Sequence, residues 1–202
     1  METIRGRRSH DLNLNGLQQQ LAEYRHTLID LGTGDGRYVR SLAEKYTENF
    51  FIGIDACREN LRVHSQNKLP NTLFIIASAQ ALPAELSGLA SQISINFPWG
   101  SLLESLLSND AAVMDGLLAI TLPQANMEIY LNGEALRTAG WTLEAGADQV
   151  EAVLNASGWA TRSRASLDAN ALRSLSSTWA KRLAFGRDPR AVHLRFKKVT
   201  RP

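Results

Sequence analysis

The sequence predicts an α/β protein: a doubly wound, mostly parallel sheet of seven strands with helices on both faces and a short N-terminal extension. Three observations carry this. Short apolar runs alternate along the chain with stretches of helical periodicity. Phe50-Phe51-Ile52-Gly53-Ile54 is apolar or glycine throughout, the pattern of a strand buried on both faces. The run Thr27 to Leu31 leads straight into Gly32-Thr33-Gly34-Asp35-Gly36, and open parallel sheets place such a strand-to-glycine-loop-to-helix order at a ligand site. At 202 residues the length is that of a single domain, residues 1–202.

Each element follows in order. Residues 1–13 form an N-terminal hairpin extension, since Ile4 to Leu12 alternates weakly. Leu14 to Tyr24 is a helix with Leu17, Leu21 and Tyr24 on one face. Thr27 to Leu31 is the first strand of the domain, and Tyr38 to Tyr46 the next helix. Phe50 to Ile54 is the second strand, ending at Asp55. A polar helix from about Arg58 to Asn67 stops before Pro70. Thr72 to Ile76 and Ser91 to Phe97 are strands three and four. Two helices follow, through Leu102 to Leu107 and over Ala111 to Thr121, then strand five from Asn126 to Leu131. Gly133 to Ala147 reads as a loop carrying Trp141. Asp148 to Ser157 is a helix, a sixth strand starts at Gly158-Trp159, Ser176 to Phe185 is a helix, and Ala191 to Val199 is the last strand.

Composition excludes several classes. Apolar residues make 44% of the chain and charged ones 21%, as in a soluble globular protein. No apolar run approaches the ~20 residues of a membrane span. The N-terminus, with Arg5, Arg7 and Arg8, lacks the apolar core of a signal peptide, so a cytoplasmic location with no membrane association is expected; a monomer is the expected state, though no residue pattern fixes it. The single cysteine, Cys57, forms no intrachain disulfide and reads as a small, partly buried residue. His10, His26, His64 and His193 show no metal-ligand spacing, so no metal site is expected. Net charge is +2 but unevenly spread. From Thr161 onward the only acids are Asp168 and Asp188, against a long series of arginines and lysines. A surface this lopsided suits a nucleic-acid partner, and equally an arginine-rich solvated surface.

The glycine loop has the form G-x-G-x-G, with Asp30 two residues ahead of it. That is neither the G-x-G-x-x-G of dinucleotide binders nor a triphosphate loop, which would continue into Lys-Ser/Thr. It resembles motif I of the class I methyltransferases that use S-adenosyl-L-methionine (SAM). Asp55 follows about 20 residues later, the spacing at which an acid meets ribose hydroxyls. Such an acid suits a nicotinamide cofactor as well as SAM. The loop form favours SAM, whose ammonium would find a neighbour in Asp30. Asp35 reads as a cap of the next helix.

Trp99, in Phe97-Pro98-Trp99-Gly100, falls where these enzymes place the loop beside the transferred methyl group. Trp179 lies ahead of a basic stretch and can face the same cleft. Two indoles can sandwich a planar base. Trp141 and Trp159 are expected in the core.

Three segments together, Asp30 to Gly36, Phe97-Pro98-Trp99-Gly100-Ser101-Leu102-Leu103 and Ser177-Thr178-Trp179-Ala180-Lys181-Arg182-Leu183, resemble the aminoglycoside-resistance 16S rRNA (adenine-1408-N1) methyltransferases. The order, spacing and size agree along nearly the whole chain. The resemblance implies that Asp30, Gly32, Gly34, Asp55, Ala79 and Gln80 line SAM, and that Ser101 and Ser177 help close its pocket. It implies that Trp99 and Trp179 hold the flipped adenine. It implies that Lys181, Arg182 and Arg187 grip rRNA, and that Arg58, Arg62 and Lys68 dock on the 30S subunit. No catalytic base is required, because adenine N1 carries a free lone pair. Two features depart from the family. Asn132 to Ala147 is short, and Asn96 ahead of Phe97 approaches the Asn-Pro-Pro-Trp motif of amino methyltransferases. Adenine N6, tRNA guanine N7, a small-molecule substrate and a catalytically inactive SAM- or RNA-binding homologue therefore stand as alternatives.

Overall fold

The computed structural model describes residues 1–66, 69–175, 177–186 and 188–199. Glu2–Arg5 (β1) and Arg8–Asp11 (β2) form an antiparallel hairpin, followed by helix α1 (Leu14–Leu21). The chain then alternates through β3 (His26–Leu31), α2 (Arg37–Lys45), β4 (Asn49–Asp55), α3 (Arg58–Leu61), β5 (Thr72–Ile76) and β6 (Ala90–Asn96). Helices α4 (Gly100–Ser108) and α5 (Ala111–Ala119) precede the long strand β7 (Thr121–Asn132). The remainder is α6 (Gly133–Thr138), α7 (Leu143–Ala156), β8 (Trp159–Leu167), α8 (Ala169–Ser174), α9 (Thr178–Ala184) and β9 (Ala191–Lys198).

Among the described residues the strands join one sheet in the order β2-β1-β5-β4-β3-β6-β7-β9-β8. It has nine strands and is mixed, where seven mostly parallel strands were expected. The pairs β3–β4, β3–β6, β4–β5 and β6–β7 are parallel. The pairs β1–β2, β1–β5, β7–β9 and β8–β9 are antiparallel. The two additional strands are the hairpin, which attaches to β5 through Thr3 opposite Ile75. It covers an edge that would otherwise present unpaired backbone groups. Between β3 and β6 the winding reverses direction, which opens a crevice at the carboxyl ends of the strands.

Strand periodicity sorts the side chains. Ile29, Leu31, Ile52, Ile54, Ile93, Ile95, Met127, Ile129 and Phe196 join the main core with α4, α5 and α7. The opposite face holds a smaller cluster of Ile4, Val39, Ala43, Phe51, Leu61 and Phe74 beneath α2. A third cluster joins Phe97 and Tyr130 to Leu172 of α8 and to Ala180, Leu183 and Ala184 of α9. Trp159 is fully buried, and Trp141 packs against the main core while partly exposed.

Besides α8, which the sequence reading lacks, two segments differ from expectation. The polar helix from Arg58 ends at Leu61, and a 3-10 turn follows at His64–Gln66. Within that turn Ser65 Oγ accepts a hydrogen bond from the Gly6 amide (2.8 Å), which ties the segment to the hairpin. Gly133 to Ala147 is mostly helical. Asn132 caps α6 by accepting from Ala135 N (2.8 Å), and Thr142 caps α7 by accepting from Ala145 N (3.1 Å).

Candidate functional site

The carboxyl ends of β3, β4, β5 and β6 surround a cavity of about 310 Å³. The glycine loop forms one wall. Gly32 N and Thr33 N donate to Ile54 O (2.9 and 3.0 Å), which ties the loop to β4. Gly32 has φ of 72°, a conformation glycine adopts without penalty. A Cβ there would also lie 2.8 Å from Leu102 Cδ2, so the Leu102 side chain of α4 would have to shift to admit one. Gly36 carries the same requirement (φ 77°) against the Phe74 ring. Asp35 accepts from Arg37 N (3.0 Å), while Gly36 holds the N-cap position of α2.

Asp55 ends β4 and faces the cavity. Its Oδ2 accepts from Gly34 N (2.8 Å), and its Oδ1 from Cys57 N (2.9 Å) and Asn60 Nδ2 (3.3 Å). These donors fix a carboxylate whose remaining lone pairs can accept from vicinal hydroxyls. Opposite it, Ala79 and Gln80 line the wall, and Gln80 Nε2 donates to the buried Ser105 hydroxyl (2.9 Å). Ser101, at the start of α4, closes the far side. Size, glycine cradle and anchored acid fit SAM, whose ribose hydroxyls would find acceptors on Asp55.

Asp30 is placed differently. It is 4% exposed, points to the α2 face of the sheet and lies one layer behind the cavity wall. Its Oδ1 accepts from Ser94 Oγ and Asn96 Nδ2, both at 2.7 Å. Burial lifts its carboxyl to about 6 despite these donors. Asn96 itself lines the cavity and links Asp30 to it. Asn60 and Asn96 belong to the wall although the sequence assigns neither to cofactor binding. Asn60 carries no motif signal, and Asn96 stood out only as a possible amine-binding group.

Trp99 and Trp179 meet at the mouth of the cavity. Their ring centroids are 6.5 Å apart, the planes inclined by 36°, and the residues are 39% and 43% exposed. Trp99 follows the end of β6, where Phe97 adopts φ of 54°, a strained conformation for a bulky residue. Phe97 buries its ring against Tyr130, within the cluster that supports α9. The spacing of the two tryptophans is therefore set by one packed unit. Trp179 Nε1 lies 4.0 Å from a Cβ built on Gly34, over the glycine loop. The Arg182 guanidinium sits 5.3 Å from the Trp179 ring centroid.

The other expected site residues are spread more widely. Ser177 is buried and caps α9, with Ala180 N at 3.5 Å from its hydroxyl; it does not line the cavity. Lys181 and Arg182 are exposed on α9. Arg58 faces Glu2 (3.9 Å) and Arg62 faces Glu59 (3.3 Å), beside the hairpin rather than the cavity. Lys68 and Arg187 lie outside the described residues. Cys57 is exposed, not partly buried, at the start of α3.

Comparison with known proteins agrees with this geometry. The NpmA family model, described as 16S rRNA (adenine(1408)-N(1))-methyltransferase, matches residues 2–198. A 16S rRNA (adenine(1408)-N(1))-methyltransferase of Escherichia coli is 34% identical over 93% of this chain and 94% of its own. A solved structure described as an antibiotic-related methyltransferase superposes with a TM-score of 0.84 at 32% identity, covering 96% of this chain and 99% of that one. A variant of the 16S rRNA (adenine(1408)-N(1))-methyltransferase from Catenulisporales acidiphilia, solved with cosubstrate SAM, superposes at 0.85 with 25% identity, covering 99% and 97%. The chain belongs to the 16S rRNA (adenine(1408)-N(1))-methyltransferase family, whose methyl donor is SAM.

Proposed function

We propose that this protein transfers a methyl group from SAM to N1 of adenine 1408 in 16S rRNA, acting on the assembled 30S subunit. The observation that carries this is the pair of half-exposed tryptophans at the mouth of the cavity, 6.5 Å apart. A base between two rings needs about 7 Å, two aromatic contacts of ~3.5 Å, so a slight opening admits one flipped adenine. SAM supplies an electrophilic methyl on a sulfonium. Gly32, Gly34, Asp55, Ala79, Gln80 and Ser101 hold that donor. Asp30 acts through Asn96, and Ser177 acts by fixing the start of α9. Trp99 and Trp179 present the N1 lone pair in line with the methyl.

The reaction needs no base, since N1 is unprotonated near neutral pH and no proton leaves it. Orientation alone can supply ~7–11 kcal/mol of the barrier. The methylated ring is cationic, and stacked indoles attract a desolvated cation by ~2 kcal/mol. Lys181, Arg182 and Arg187 hold rRNA phosphates, and Arg58, Arg62 and Lys68 dock on the 30S subunit. The reading takes residues 1–202 as one methyltransferase domain with residues 1–13 as its hairpin extension, working in the cytoplasm as a monomer.

The test is methyl transfer from labelled SAM to purified 30S subunits, followed by primer extension. N1 methylation blocks the Watson–Crick edge and stops reverse transcriptase at that adenine, whereas N6 methylation lets it pass. A bacterium expressing the protein should tolerate kanamycin and apramycin. Trp179→Ala should abolish transfer while raising the SAM dissociation constant by less than about tenfold, since SAM loses one wall contact worth ~1 kcal/mol. Methylation of another nucleotide, with adenine 1408 untouched, would overturn the assignment.

A further inference from the structure

The N-terminal hairpin carries a charge arrangement that the cavity does not use. Its strands end with Arg5 directly opposite Arg8, and Gly6 and Arg7 form the two-residue turn between them. Gly6 has φ of 60°, the conformation that a II′ turn needs at its first position. Arg5, Arg7 and Arg8 are all exposed. Like charges directly opposite on neighbouring strands repel, so the last pair of this hairpin opposes its own formation.

Nearby acids do not relieve the repulsion. Glu2 faces Arg58 and Glu59 faces Arg62, and among the described residues none of the three hairpin arginines is in an ion pair. Asp11 lies at the far end of β2 from the turn. Behind the hairpin is a groove of about 230 Å³ with Arg5, His10 and Gln20 of α1 in its wall, together with Asp11.

The turn is fastened to the linker between β4 and β5. Gly6 N donates to Ser65 Oγ (2.8 Å), and Arg58 Nη2 donates to Arg7 O (3.4 Å). The exposed arginines of the turn therefore sit against the linker segment that carries Arg58. The register of Thr3 opposite Ile75 directs the turn toward the Thr72 end of β5, away from the strand ends that line the cavity.

We propose that the hairpin turn Arg5-Gly6-Arg7-Arg8 is an RNA-docking arm that grips backbone phosphate of the rRNA substrate. This rests on the rRNA reading above. A phosphate between two opposed guanidiniums accepts charge-assisted, paired hydrogen bonds from each and turns their repulsion into attraction. Because the arm lies away from the cavity, it acts on docking and not on methyl transfer.

The experiment compares the Arg5→Ala/Arg8→Ala double variant and the Arg5→Lys/Arg8→Lys double variant with the unsubstituted protein. Removing two phosphate contacts should raise KM for 30S subunits about tenfold and flatten the log–log salt dependence of KM by about 1–2. The maximal rate and the SAM dissociation constant should stay unchanged. The alanine variant should melt no lower than the parent, because a like-charge pair has been removed. The lysine variant keeps the charge but not the paired geometry, so its KM should fall between those of the parent and the alanine variant. Unchanged KM and salt dependence in the alanine variant would overturn the proposal, as would a KM rise that tracks a lower Tm. Failure of the unsubstituted protein to methylate 30S subunits would instead overturn the rRNA reading.

Discussion

Asp30 shows how one side chain changes meaning between sequence and structure. By spacing it is an acid beside a glycine loop; in the fold it is buried, with Asn96 between it and the cavity. Its carboxyl titrates near 6 in the native protein against 3.8 when unperturbed. Between those values the native state binds more protons than the unfolded chain, so stability falls as pH rises through the window. Above it the buried charge costs about 3 kcal/mol in the SAM-free protein. Urea unfolding at pH 5 and pH 8 should differ by about half of this, ~1.4 kcal/mol, because the unfolded carboxyl is already ionised at pH 5. Asp30→Asn should abolish that difference and stabilise the protein at pH 8 while weakening SAM binding. An unchanged pH dependence in the variant would show that Asp30 is charged throughout. Phe97 is the converse case. Its position beside Trp99 is evident in the sequence, but its positive φ and its burial beneath α9 are not, because neither follows from residue type.

At the scale of elements, the main alternation is legible because buried parallel strands need apolar runs and amphipathic helices need their period. Thr72 to Ile76 is read to the residue. Helix α6 and the start of α7 are not, because Gly133, Gly140 and Gly146 look like loop residues. Gly146 lies inside α7, where a Cβ would run into the Leu136 side chain of α6, so it serves close helix packing. Helices α8 and α9 form a short lid-like pair that docks through Leu172, Ala180, Leu183 and Ala184 onto Phe97 and Tyr130. Leu172→Ala should cost about 2–5 kcal/mol in unfolding free energy. A shift of Trp179 by even 1 Å should lower the rate of transfer by as much as roughly 10²-fold. Calorimetry should find SAM affinity little changed, since Leu172 does not line the cavity.

Across the whole molecule, the hairpin completes the sheet and the winding reversal places the site. Met1 extends this closure: its ammonium pairs with Glu85 (2.7 Å) and donates to Leu12 O (2.9 Å). Ile4 is buried under α2. Removing residues 1–12 should forfeit about 2–3 kcal/mol from Ile4 alone and uncover the β5 edge. Light scattering after size exclusion should then show a larger mass for the truncated protein than for the unsubstituted one, whereas an unchanged state of association would mean that β5 needs no cover. Among the described residues no helix is long and apolar enough to cross a membrane.

The sequence by itself determined the α/β alternation, the glycine loop, Asp55 and both site tryptophans, because each rests on local chemistry: backbone freedom, strand burial, or a residue type at a fixed spacing. Tertiary structure decided the rest. It joined the hairpin to the sheet, moved Asp30 behind Asn96, and brought Trp99 and Trp179, 80 positions apart in the chain, to 6.5 Å. These outcomes depend on strand register and on how helices pack across the sheet, and long-range contacts of that kind leave no periodic trace in the residues that make them.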